Sequence, residues 1–240
     1  MKNTLYILLV VSFASCTKPE GNWCDCELLG NNDYWNCEQL LDTVGLNLYS
    51  FVPFTDEWGP GKTPYAELLE SRQIPEDFMA KMTTKELFYQ YVYCGLSKSG
   101  LFMFNYVQLE ERLNMVTELL IRRNTGHTLL EILQRIDPAG IEWSWSRDCR
   151  YTYVYLLIFM AQPEVIMYMT DEEICKYILI QKRSQEIILS LCESDPYYWG
   201  YMPELNLINT GLGNVKVLHK KFEPFVQLIE ENEGCWSVKD

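Results

Sequence analysis

An all-α fold is predicted for this chain: an irregular array of packed helical hairpins, HEAT-like or right-handed superhelical, preceded by an irregular N-terminal segment. Three observations predict it. Two capping boxes, Thr83-Thr84-Lys85-Glu86 and Thr170-Asp171-Glu172-Glu173, each set a hydroxyl to accept from the third helical amide and a glutamate to reach back. Apolar residues recur at helical spacing through Leu109, Leu113, Val116 and Leu120, and again through Ile174, Tyr177, Ile178, Ile187, Ile188 and Leu191. Convincing pairs of alternating strands joined by tight turns are few.

The N-terminus reads as an export signal over residues 1–15. Lys2 supplies the positive charge, Leu5 to Ala14 the apolar run, and Ala14-Ser15 the small residues before Cys16. That run is too short to cross a bilayer as a mature helix, which needs about 20 residues. A cysteine directly after two small residues resembles the bacterial lipobox, so Cys16 is the expected lipidation site. Residues 16–62 are rich in Gly, Asn, Asp, Trp and Pro without a sustained period, and are expected to be a lipidated tether followed by an irregular layer.

One all-α domain is expected over residues 63–240. Thr63-Pro64 opens a helix through Tyr65 to Arg72, with Thr63 as N-cap and Pro64 at the first helical position. Ile74-Pro75 starts a short helix to about Met82, and the first capping box opens another to about Tyr93. The stripe from Leu109 to Leu120 gives a helix ending at Asn124-Thr125-Gly126, its solvated face carrying Glu110, Glu111, Glu118 and Arg122. A further helix runs from Thr128 to Ile136. Tyr151 to Ala161 is apolar or aromatic nearly throughout; its length favours a buried helix starting near Ser146 or Arg147 and interrupted at Gln162-Pro163. The second capping box opens the longest helix, about 171 to 193, with Ser184 letting a neighbour approach. Helices near 204–209, 214–221 and 224–232 follow, with Gly211-Leu212-Gly213 read as a break.

The set Ile74-Pro75-Glu76-Asp77-Phe78, Met82-Thr83-Thr84, Leu87, Asn105 with Gln108, and Glu118-Leu119-Leu120 with Arg122 and Gly126 resembles a group of uncharacterised all-helical lipoproteins and exported proteins of Bacteroides and its relatives. The resemblance covers about two-thirds of the chain. It implies an all-helical exported protein and carries over no catalytic residue.

Charge and motifs narrow the chemistry. Of the 240 residues, 20 are basic and 33 acidic, a net charge of −13. A nucleic-acid binder needs a basic face to displace counterions, so nucleic acid is excluded as a partner, and an anionic bilayer as an electrostatic one. Among nine cysteines, Cys24, Cys26 and Cys37 form the one local cluster. One disulfide to Cys37 is expected there; free thiols come second, and a metal site last, because a structural zinc wants four ligands. Most of the five cysteines after residue 90 are expected to be buried thiols. Gly95-Leu96-Ser97-Lys98-Ser99-Gly100 is an inter-helix turn rather than a nucleophile elbow. The isolated His127 and His219 are surface or capping residues, and no cofactor or catalytic residue is assigned.

Two aromatic groups are the candidate binding residues: Trp143 and Trp145, and the loop Tyr197, Tyr198, Trp199 and Tyr201. Rings with a polar tip suit sugar stacking and protein contacts alike. The expectation is an exported, lipid-anchored outer-membrane protein of the bacterial envelope on its periplasmic or surface face, alternatively a secreted protein, acting as a non-enzymatic binding or scaffold module whose partners are the membrane through Cys16 and an envelope protein or glycan. The alternative is a small glycan-active hydrolase using Glu142 and Asp148 beside Trp143 and Trp145, since glycosidases pair two carboxylates at a sugar-stacking surface.

Overall fold

In the computed structural model, which describes residues 34–55, 62–94, 113–137, 147–194 and 202–227, the chain is helical with its helices packed on one another. The order is α1 (Cys37–Leu40), α2 (Tyr65–Glu70), α3 (Glu76–Met79), α4 (Thr84–Val92), α5 (Asn114–Ile121), α6 (Thr125–Leu133), α7 (Arg147–Met160), α8 (Pro163–Ile166), α9 (Asp171–Ser194) and α10 (Met202–Leu218). A 3-10 turn, Lys220–Phe222, and a helical stretch over 223–227 come after α10.

α7 is the axis. Every residue from Tyr151 to Met160 is buried, and a helix apolar on all sides can be stable only when other elements surround it. α1, α4, α6, α8 and α10 all pack against it. Thr152 is buried within the run, and the run stops at Gln162, before Pro163.

Local signals place the rest. Thr83 Oγ accepts from the Glu86 amide at 3.2 Å while Glu86 returns to the Thr83 amide at 2.6 Å, so the first capping box forms as expected. Thr170 and Glu173 repeat it at the start of α9, at 3.3 and 2.7 Å. α5 has no side-chain cap. Instead Asn114 pairs both ways with the backbone of Ile74, fixing the start of α5 to the loop before α3.

Several expectations are corrected. Arg122 is not on a solvated face: its guanidinium donates to the Met82 carbonyl at 2.6 Å, to the Met79 carbonyl at 3.3 Å and to Glu118 at 2.8 Å, closing the C-terminal end of α3. α6 begins at Thr125, not Thr128, and Gly126 lies in its first turn rather than ending α5. A Cβ there would stand 2.6 Å from Met169 Cγ, so glycine lets the segment after α8 lie against α6. Gly211 and Gly213 do not break a helix; α10 runs through both.

Residues 34–55 pack onto the helices through backbone contacts. The Trp35 amide donates to the Arg135 carbonyl at 2.7 Å. Tyr89 and Tyr93 hydroxyls donate to the carbonyls of Leu40 and Leu41. Gln90 on α4 accepts from the Tyr49 amide and donates to its carbonyl, and Glu86 accepts from Asn47. The buried Arg72 side chain donates to the Cys94 carbonyl at 2.7 Å and lies over the rings of Phe51 and Phe54.

Cysteine pairing also differs from expectation. Cys37 is disulfide-bonded, but to Cys149 at the start of α7, 112 residues away, rather than to Cys24 or Cys26, which lie outside the described residues. Folding carries α1 onto α7, which no local spacing announces. Cys175 is disulfide-bonded as well, whereas the buried Cys94 is not part of a disulfide. Two of the expected buried thiols are therefore cross-links.

Candidate functional site

α9 carries its buried stripe through Ile174, Tyr177 and Ile178 to Ile188, yet the positions between are Gln181, Ser184 and Gln185, all buried. Helical spacing puts these polar residues on the same face as the isoleucines. They turn inward toward α7 and α10 and form a polar inset in an otherwise apolar core.

Register is set by pairs at both ends. Gln185 donates to Asn209, and Tyr177 meets Gly211, so α9 and α10 are antiparallel. Arg150 pairs with Glu204, and Asn214 donates to the Ala161 carbonyl at 2.8 Å, so α10 runs parallel to α7. Three helices thus bring Tyr153 from α7, Tyr177, Gln181 and Ser184 from α9, and Glu204 from α10 into one region. Tyr153 lies beside Ser184 and feels the charge of Glu204; Tyr177 lies beside Gln181 and interacts with Tyr153.

The buried hydroxyls of Tyr153 and Ser184 face each other as a hydrogen-bonding pair, as do the buried Tyr177 hydroxyl and Gln181 amide, and Glu204 keeps Oε2 buried beside the Oε1 that Arg150 holds.

Electrostatics define what the inset can do. Burial raises the pKa of Tyr153 and of Tyr177, keeping both neutral. Burial also pushes the Glu204 carboxyl up, against the pull of Arg150, whose Nε and Nη2 reach Oε1 at 3.0 and 2.9 Å. Glu204 lies in the first turn of α10, where the helix dipole favours a carboxylate. Neutral hydroxyls, an amide and a paired carboxylate hold a molecule by hydrogen bonds better than they move its protons.

The residues singled out in the sequence fall elsewhere. Cys16, Cys24, Cys26, Glu142, Trp143, Trp145, Tyr197, Tyr198, Trp199 and Tyr201 lie outside the described residues, as does the side chain of Asp148, whose backbone is in α7. His127 is an exposed surface residue bridging α6 and α9, its Nδ1 2.6 Å from Glu173 Oε1. His219 Nε2 meets the Ile166 carbonyl at 3.0 Å. Of the inset residues the sequence marks only Ser184, as a point of close approach, and Tyr177, as part of the apolar stripe; Gln181 and Gln185 interrupting that stripe are the further readable sign. Among the described residues no three His, Cys, Asp or Glu side chains group to hold a metal, and no helix is long and apolar enough to cross a membrane.

Comparison with known protein families, with characterised proteins and with solved structures finds no match to this chain.

Proposed function

We propose that the protein is exported and anchored to the bacterial envelope by a lipid on Cys16, where its all-α domain serves as a binding or scaffold module. The observation that carries this reading is the Cys37–Cys149 disulfide. Such bonds form and persist in oxidising compartments and are rare in the cytosol. Its presence agrees with a chain whose first residues read as an export signal ending at a lipobox-like cysteine.

The inset favours binding over turnover, since its tyrosines are held neutral and its carboxylate is already paired. The module's outward partner is an envelope protein or glycan, met by the aromatic residues Trp143, Trp145, Tyr197, Tyr198, Trp199 and Tyr201. Mass spectrometry of the N-terminal peptide from membrane-extracted protein, run with affinity capture of its partners, tests the reading. A diacylglyceryl group on Cys16 and a reproducible envelope partner lost on Trp199→Ala are expected. An unmodified N-terminus in the soluble fraction would overturn the anchor, and capture unchanged by Trp199→Ala would overturn the role of that loop.

A further inference from the structure

We propose that α4 carries a peptide-reading face, occupied in the resting chain by residues 46–54, and that this strap lifts to admit an extended, aromatic-rich segment of a partner protein. The face is separate from the aromatic residues assigned above to the outward partner, and it stands whether or not Cys16 carries a lipid.

The strap's conformation follows from its register on the helix. Glu86 accepts from the Asn47 amide at 2.8 Å, and Gln90 both accepts from the Tyr49 amide and donates to the Tyr49 carbonyl, the latter at 3.1 Å. Four residues of α-helix rise about 6 Å and two residues of extended chain span about 6.6 Å, so the strap runs along α4 as an extended segment. The next step of that register sets Phe51 near residue 94. There Arg72 donates to the Cys94 carbonyl and lies over the Phe51 and Phe54 rings, at 5.2 and 4.0 Å from their centroids.

What α4 reads is backbone. Its three hydrogen bonds to residues 47 and 49 go to main-chain groups, so they fix the direction and extension of a peptide without regard to its side chains. Selectivity comes from the rings. Tyr49 stands edge-on to Phe78 at 5.3 Å, and Phe51 and Phe54 take the Arg72 guanidinium on their faces. A basic side chain in place of either phenylalanine would meet the charge of Arg72 instead. The partner segment is therefore aromatic-x-aromatic-x-x-aromatic, the spacing of Tyr49, Phe51 and Phe54, with no positive charge at the last two ring positions.

Burial places the strap among the elements that open first. None of residues 42–55 is buried, and Val44 and Val52 are 90% and 70% exposed, whereas Glu86, Gln90 and Arg72 beneath the strap are buried. A half-exposed cover on a polar floor has few fully buried apolar contacts, and such segments open well below the free energy of global unfolding. Opening leaves the frame in place, because α1 stays bonded to α7 through Cys37 and Cys149.

The probe is a fluorescein-labelled peptide with the sequence of residues 44–55, titrated by anisotropy into the native full chain and into the variant Tyr49→Ser with Phe51→Ser, which weakens the resident strap and leaves α4 intact. Capture by the native chain is reduced by the fraction of molecules whose strap is closed, so the variant is expected to bind at least about tenfold tighter. Adding Gln90→Met to that variant should lower its affinity about tenfold, through the lost bonds to one residue's backbone. A peptide with serine at its three ring positions should not bind. No saturable capture by a variant that keeps its helical circular dichroism, equal capture by native chain and variant, or capture indifferent to Gln90→Met would overturn the proposal. A native dimer that Gln90→Met returns to monomer would assign the face to a second copy of this chain and overturn the partner's claim to it. Should the variant not fold, native-state hydrogen exchange decides. Asn47 and Tyr49 amides that exchange well ahead of the α4 amides support an opening strap, and amides released only with global unfolding sink it.

Discussion

Replacing the Gly211 hydrogen by a methyl group would put a carbon where the Tyr177 hydroxyl stands. Gly211→Ala is therefore expected to cost about 1–3 kcal/mol, as overpacking usually does, seen as a lower urea midpoint with unchanged slope. Removing the hydroxyl as well, with Tyr177→Phe, should restore much of the loss, because the next atom, the ring Cζ, would lie 3.2 Å from the new carbon. Equal and additive losses in the double variant would mean that the two sites do not communicate. In the sequence, two glycines two residues apart read as a break; only the partner helix shows that one of them is a seat for a tyrosine. Arg122 was obscured for a related reason. Its helical face is charged, and spacing cannot tell a charge that faces water from one that faces the carbonyl end of a short helix.

At the scale of elements, what the sequence made legible was what local chemistry decides. Both predicted capping boxes form, and α7 and α9 lie within a residue or two of their expected ends, because each is bounded by a cap, a proline or a long apolar run. Thr83→Ala should destabilise the protein by about 1 kcal/mol, measured by chemical denaturation. The same boxes set an acid response. Burial alone would raise Glu86 and Glu173, but the Thr83 amide and hydroxyl with the Asn47 amide, and the Thr170 amide and hydroxyl with His127, hold both below the ordinary value of 4.5. The folded state then binds fewer protons than the unfolded chain as pH falls through 4.5. Their contribution is complete above that pH and is lost progressively below it. Denaturation midpoints collected across this range should fall with acidity, and Glu86→Gln should flatten the fall; an unaltered acid profile would contradict the assignment. What stayed hidden was tertiary: α6 starts three residues earlier than its local pattern suggests, and the Gly126 in its first turn lies against Met169, a contact no local pattern reveals.

For the molecule as a whole, the helical class and its packing were readable, whereas the covalent closure was not. Cys37 looked like part of a local cluster, but its partner is Cys149, since folding seats α1 on α7. The candidate site divides in the same way: aromatic residues stand out by composition, while the inset exists only where three helices meet. Because the bond spans 112 residues, removing it with Cys37→Ala and Cys149→Ala should cost about 2–5 kcal/mol, read as a drop in Tm of the variant against the native chain. An unchanged Tm would mean that packing alone fixes α1. The bond also has a mechanical meaning. Tension arriving along the chain at Cys37 passes through sulfur straight into Cys149, and so into the axial helix α7. Residues 38–148, which include the whole of α2 to α6, form a slack ring beside the load path. A pull between the front of the chain and α7 would leave the backbone of that ring unstretched until the sulfur link itself was cut.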